Sequence, residues 1–170
     1  MSFAPGMVAL KPGEGRRLEA MGNLRINKAV GADTGGAWAL VELHVTGAGP
    51  PLHLHDREDE AFYVLEGRAQ VWVGDAEFQA EAGSFVLGPR GVPHTFAGQP
   101  GGDLTLLVLI APAGFEQMFD EIALLSERDQ QDLSMIGGIA ARYGVRTLGP
   151  PRPQEPGRRL ASRARSRTRT

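Results

Sequence analysis

Short apolar runs alternate with polar breaks over residues 24 to 110. The runs span 24–30, 37–45, 61–65, 69–73, 77–80, 85–87, 94–97 and 104–110, and are rich in Val, Leu, Phe and Trp. Gly, Pro and Asp cluster between them at 31–36, 47–51, 74–75, 88–93 and 98–102. Short β-type runs bounded by turn residues predict strands. Many such strands in series predict an all-β sandwich or barrel. The period then changes. Phe115, Met118, Phe119 and Ile122 fall at i, i+3, i+4 and i+7, one apolar stripe of a helix. Ser126 can cap a second helix with Asp129 in its first turn, Leu133, Ile136, Ala140 and Tyr143 on its apolar face, and Gly144 at its C-terminus. Two C-terminal helices covering one end of the barrel are therefore expected. The implied division is an N-terminal arm over 1–22, a barrel over 23–112, helices over 113–146 and a Pro/Arg-rich disordered tail over 147–170.

Composition narrows the chemistry. The 170 residues include no cysteine, which excludes disulfides, thiolate metal sites and cysteine nucleophiles. The longest apolar run, residues 104 to 112 broken by Thr105, is far short of the ~20 residues that span a bilayer. The first ten residues show no secretory pattern. A soluble, cytoplasmic protein with no membrane partner is expected. Net charge is −2, but it is split. Residues 1–149 carry 11 Lys+Arg against 19 Asp+Glu, and residues 150–170 carry 7 Arg against 1 Glu. An acidic body argues against a specific nucleic-acid partner, and the basic tail reads as a solvated appendage. No solenoid repeat, G-x-S-x-G, P-loop or H-E-x-x-H is present.

The chemistry concentrates in residues 47–67 and 83–98. His53 and His55 lie two apart, so an extended chain points both imidazoles to one face. An acidic turn leads to Glu60, and a turn between two antiparallel strands would bring Glu60 opposite the His pair. His94 opens a later strand. Three imidazoles and a carboxylate are borderline ligands that suit Fe, Mn, Co, Ni or Zn as a single divalent ion, and suit Ca²⁺ poorly. Asp59 is the alternative carboxylate, shorter and of opposite strand parity. Asp56, Glu58 and Asp59 otherwise read as solvated turn acids or as hydrogen-bond acceptors for a ligand His.

These segments resemble the two motifs of the cupin superfamily. Gly47, His53, His55, Glu60 and Gly67 satisfy the first motif, and Gly83, Pro89, Gly91 and His94 the second. Gly98 stands where the second motif has Asn. The resemblance implies a double-stranded β-helix, the jelly-roll barrel, with a metal inside. It also implies that His53, His55, Glu60 and His94 are the ligands. Within the superfamily the chain is most similar to single-domain, quercetin 2,3-dioxygenase-like members, through PPLHLHDREDEAFYVLEG, PRGVPHTF, APAGFEQMF and ARYGVRTLGPP. That likeness implies a dioxygenase acting on a small aromatic or enolisable substrate, with Glu60 as the catalytic base. The alternatives are a metal-dependent cyclase or isomerase of small molecules such as polyketides, and a non-catalytic small-molecule-binding module. Cupins commonly dimerise, so a homodimer is expected, with Trp72 a candidate partner-facing residue.

Strand parity extends the site. Phe62 and Val64 share the parity of Glu60, and Phe96 shares that of His94, which turns them inward as candidate walls of a substrate pocket. Phe115, Met118 and Phe119 are either helix core or a lid over the barrel mouth. His44, on a strand with Trp38, Leu40 and Glu42, reads as a core or interface residue or as a polar pocket group.

Overall fold

The structure is a computed structural model that describes residues 7–46, 49–99 and 101–152. Gly47 of the first motif and most of the expected tail lie outside the described residues. The strands are β1 (Arg16–Ala20), β2 (Asn23–Ala29), β3 (Ala39–Val45), β4 (Leu52–His55), β5 (Asp59–Glu66), β6 (Arg68–Val73), β7 (Ala76–Glu81), β8 (Phe85–Gly88), β9 (His94–Gly98), β10 (Leu104–Ala111) and β11 (Val145–Gly149). They form two antiparallel sheets, ordered β1-β2-β3-β10-β5-β8 and β11-β4-β9-β6-β7. The chain crosses between sheets after β3, β4, β5, β7, β8, β9 and β10. This is a jelly-roll barrel, as expected.

Period-two burial explains why the two sheets face each other. In β3, Ala39, Val41, Leu43 and Val45 are buried, while Leu40, Glu42 and His44 lie on the opposite, more exposed face. In β5, Glu60, Phe62 and Val64 are buried, while Tyr63 and Leu65 are exposed. The inward residues join Val71, Phe96, Leu104, Leu106, Val108 and Ile110 in one core between the sheets. At the β5–β6 crossing, Gly67 takes φ +82, and a Cβ there would collide with the Asp103 carbonyl, so glycine is required twice over.

Four expectations change. First, β4 and β5 are not neighbours in a hairpin. Both edges of β4 are taken by β11 and β9, and both edges of β5 by β10 and β8, so the acidic turn carries the chain across the barrel. Second, part of the arm expected over 1–22 is β1, which pairs with β2. Its burial is high only at Ala20, so no apolar alternation announced it. Third, order continues past 146. β11 runs to Gly149 and pairs with β4, with Thr147 opposite His53. Fourth, the second helix starts later. Asp132 caps it, its Oδ1 accepting from the N–H groups of Ser134 and Met135 at 2.9 and 3.1 Å. Ser126 instead accepts from the Asp129 N–H at the head of a 3-10 turn.

Besides one turn at α1 (Gly31–Thr34), the helices are α2 (Met118–Ala123) and α3 (Leu133–Arg142). They bury Met118, Ile122, Ile136, Ile139 and Ala140 against the barrel, whereas Leu133, expected on the apolar face, is exposed. No helix of the described residues is long and apolar enough to cross a membrane.

Candidate metal centre

Glu60 approaches the three histidines from the opposite sheet. His53 and His55 come from β4 and His94 from β9, where His53 and His94 are register partners. Glu60 sits on β5 opposite Gly88 of β8. The Glu60 Oε2 lies 3.1 Å from the His94 Nε2, 3.3 Å from the His55 Nε2 and 3.7 Å from the His53 Nε2. Gly88 makes room for this meeting. A Cβ at residue 88 would stand 3.0 Å from the His94 ring, so any side chain there would displace the imidazole.

Hydrogen bonds behind the rings fix their tautomers. The His53 Nδ1 donates to the Pro51 carbonyl at 2.8 Å, and the His94 Nδ1 donates to the Val92 carbonyl at 2.9 Å. Carbonyl oxygens only accept, so both Nδ1 atoms carry protons and both Nε2 lone pairs point at Glu60. His55 is backed by a carboxylate, its Nδ1 3.6 Å from the Glu58 Oε2. Glu58 is 1% exposed, and its other oxygen is 3.2 Å from the Arg57 guanidinium. A carboxylate behind a ligand imidazole orients the ring and raises its basicity. Phe115 closes the remaining side of His55, with ring centroids 4.5 Å apart.

The cluster fits a metal ion. One donor atom from each of His53, His55, Glu60 and His94 lies within 4.8 Å of the others, and all four residues are buried. Donors held about 2.0–2.2 Å from an ion stand roughly 3–4 Å apart. Both ring nitrogens of the fully buried His55 lack a hydrogen-bond partner. An orphaned buried imidazole is costly, and an ion at the centre removes that cost at Nε2. The charges agree. Burial alone would raise the Glu60 carboxyl, but the contacts from His53, His55 and His94 outweigh it and hold it well below the usual carboxylate range. Burial lowers the His94 imidazolium, yet Glu60 and the Val92 carbonyl leave it raised overall. A divalent cation at the centre would meet the Glu60 carboxylate and the Nε2 lone pairs with the positive charge they converge on.

Asp59 takes no part in the cage. It faces away and clamps Arg90, accepting from the Arg90 backbone N–H at 2.9 Å, from Nε at 3.1 Å and from Nη2 at 2.9 Å. That clamp pins the turn leading to His94. His44 also points outward, 2.7 Å from the Glu42 carboxylate, and lines a small separate cavity rather than the one beside the cage. Trp72 is buried within its own chain, with the Arg152 guanidinium 5.6 Å from the ring centroid.

A cavity of about 1010 Å³ opens from the cage toward the helices. His53 and Glu60 line it, while His55 and His94 are sealed behind them. Phe96, Phe115, Met118 and Phe119 of the expected pocket line it too. Phe62 and Val64 do not, and this corrects their assignment. They point inward but pack deeper, Phe62 with its ring 6.0 Å from His94 and 5.4 Å from Phe96. Sequence reasoning missed two buried charged residues. Glu116 accepts from the Gly31 and Gly114 N–H groups at 3.0 and 2.6 Å and so fixes the turn that presents Phe115. Arg25 lines the cavity from β2. A charged residue inside a strand otherwise read as apolar was its one signal.

Residues 39–110 match the family model described as a cupin domain. That match and the jelly-roll fold support the cupin superfamily. No curated protein matches the chain. Solved structures of similar fold include KdgF from Halomonas sp., 19% identical, covering 63% of this chain and 94% of that one with a TM-score of 0.55. The polyketide cyclase RemF from Streptomyces resistomycificus is 23% identical, covering 62% and 79% with a TM-score of 0.54. A cupin-superfamily sugar phosphate isomerase from Silicibacter pomeroyi is 18% identical, covering 61% and 74% with a TM-score of 0.51. At these identities the likeness establishes the fold of the cupin domain and not its reaction.

Two predictions follow from the contacts around the cage. Glu58→Gln lowers metal affinity about tenfold to a hundredfold, read by competition with a chelator. Asp56→Asn, whose carboxylate bonds Arg146 at the surface, leaves affinity unchanged. The second concerns Asp59, whose hydrogen bonds from Arg90 bring its pKa down from 3.8 to about 2. A depressed folded-state pKa makes the clamp's contribution complete above about pH 4, and that contribution is lost as pH falls toward 2. Asp59→Asn therefore melts below the parent at pH 6, with a smaller gap at pH 3. A gap that does not change with pH would mean that the charge of Asp59 adds nothing.

Proposed function

We propose that the protein is a metal-dependent cupin enzyme acting on a small enolisable substrate bound in the cavity beside Glu60. His53, His55, Glu60 and His94 are the ligands of one divalent transition metal. When bound, that ion supplies Lewis-acid polarisation of a substrate oxygen. The observation that carries the reading is the division of labour at Glu60. Its Oε2 faces the three imidazoles, its Oε1 takes part in none of those contacts, and the residue lines the cavity. Oε1 is then the oxygen that would accept a substrate proton. A carboxylate held below its ordinary range is a weak base, which suits an acidic enol or phenol proton better than an unactivated C–H. Phe96, Phe115, Met118 and Phe119 exclude water and favour a flat apolar body.

Cleavage of the substrate by dioxygen, as in the quercetin 2,3-dioxygenase-like cupins, is the first reading of the outcome. Oxygen-independent cyclisation or isomerisation starts from the same deprotonation, and the ligand set serves redox-active and redox-silent ions alike. Elemental analysis of the purified protein, with His94→Ala beside it, tests the site. About one transition metal per chain in the parent and a large loss in the variant are expected. An oxygen electrode with flavonol and polyketide-like substrates then separates the outcomes. Uptake with Fe, Mn, Co or Ni supports the dioxygenase, turnover with Zn without oxygen supports the cyclase, and ligand-induced stabilisation without turnover leaves a binding module.

A homodimer is part of the same reading. The outward apolar residues Tyr63 and Leu65 of β5 adjoin Phe85 and Leu87 of β8, the strand at the free edge of its sheet. Light scattering of the parent and of Phe85→Asp decides it, with a dimer that the variant weakens as the expected result and a monomeric parent as the contrary one.

A further inference from the structure

Among the described residues, Arg25 is the one arginine or lysine that lines the cavity. It projects from β2, is 7% exposed, and lines the same cavity as Glu60 and His53, whose described lining contains no lysine and no other arginine. Its Nη1 donates to the carbonyls of Ala20 and Asn23 at 2.6 and 3.4 Å. The guanidinium carbon lies 3.8 Å from the centroid of the Phe119 ring. Among the described residues no carboxylate ion-pairs with it, although surface arginines such as Arg16, Arg90 and Arg146 each have one. The other acids of the lining, Glu19 and Glu127, are exposed at its rim and form no pair with Arg25. Burial, opposed by the attraction of the Glu60 carboxylate, lowers the guanidinium to about 10, so it stays charged at neutral pH.

A buried charge without a contact ion pair is expensive, and two carbonyls, a ring face and the non-contacting Glu60 carboxylate balance it only in part. The hydrogen bonds recorded for the guanidinium all leave from Nη1, so its remaining donors have no protein acceptor among the described residues. From this placement we infer that Arg25 is the specificity-determining residue of the cavity and receives a planar carboxylate carried on the apolar substrate. The inference rests on the proposed substrate cavity and deepens it. A guanidinium fork matches a carboxylate in two parallel hydrogen bonds, and stacking on Phe119 fixes the plane of the fork. One positive charge balances a monoanion, whereas a phosphate dianion would leave charge uncompensated in an apolar enclosure. The substrate would then be held at two ends, its carboxylate at Arg25 and its acidic proton at Glu60.

The test uses the full chain in zinc-loaded and chelator-stripped forms. The probes are benzoate, 2-naphthoate and decanoate, each paired with its primary amide, and binding is read by titration calorimetry. At least one carboxylate binds about 10- to 100-fold more tightly than its amide in both forms, the size expected of a charge-assisted pair. Arg25→Met removes the preference, Arg25→Lys keeps a part of it, and Phe119→Leu reduces it. The last two keep the inference testable if Arg25→Met does not fold. Absence of a preference in every pair overturns the inference, as does an undiminished preference in Arg25→Met, which would leave Arg25 a brace between Ala20 and Asn23. A preference that appears only with zinc and survives all three substitutions assigns the carboxylate to the ion and also overturns it. A chain that takes up no metal fails the proposed metal centre, yet the stripped-form comparison still decides Arg25.

Discussion

The molecule is organised around a single oxygen, the Glu60 Oε2, on which three imidazoles converge across the space between two sheets. Facing sheets pack about 10 Å apart, so side chains from opposite sheets meet end to end near the midplane. A histidine from one side and a glutamate from the other are long enough to do this. Everything nearby is sized to permit it. Gly88 is bare because the His94 ring occupies its side-chain space. Phe115 lies edge-on to His55, and Phe62 to His94, filling the flanks. The backbone carbonyls of Pro51 and Val92 hold two of the rings by their far nitrogens, so the near nitrogens have no freedom to turn away.

Much of this was legible because motif spacing and strand parity are local properties. His53 and His55 share a face by period two, and Glu60 and His94 stand at intervals that turns of fixed length enforce. Parity says which residues point inward but not how deep along the barrel they lie. Phe62 and Val64 show the difference, since both point inward yet pack below the cavity, while Phe96 reaches it. Strand pairing was less legible. β11 adds to β4 mainly through backbone hydrogen bonds, with Val145 its one buried residue, so its sequence resembles the polar stretch that follows. The helix start moved from Ser126 to Asp132 because both are competent caps, and the chain uses each for a separate turn.

Arg25 was illegible for another reason. On paper a charged residue in a strand belongs on the solvent face. The jelly roll bends β2 around the barrel end where α2 and Phe119 complete the wall, and the covering comes from residues almost a hundred positions away. No window of sequence around residue 25 contains that information. Such departures from local rules are expected where a fold holds a functional group in a place that stability alone would fill with an apolar one.

The sealed and open halves of the cage set a direction for chemistry. His55 and His94 are inaccessible, whereas His53 and Glu60 border the cavity, so the cage is open to another molecule on the cavity side. Any molecule in that cavity meets walls that include Arg25, Phe119, Phe96 and Phe115. The positive charge that meets it in the wall belongs to Arg25, and the negative charge beside the cage belongs to Glu60. A neutral apolar molecule would fit the walls but gain nothing from either pole. A molecule with an anionic end and an acidic proton gains from both, and the separation of the two poles then fixes which of its atoms comes to rest against the cage.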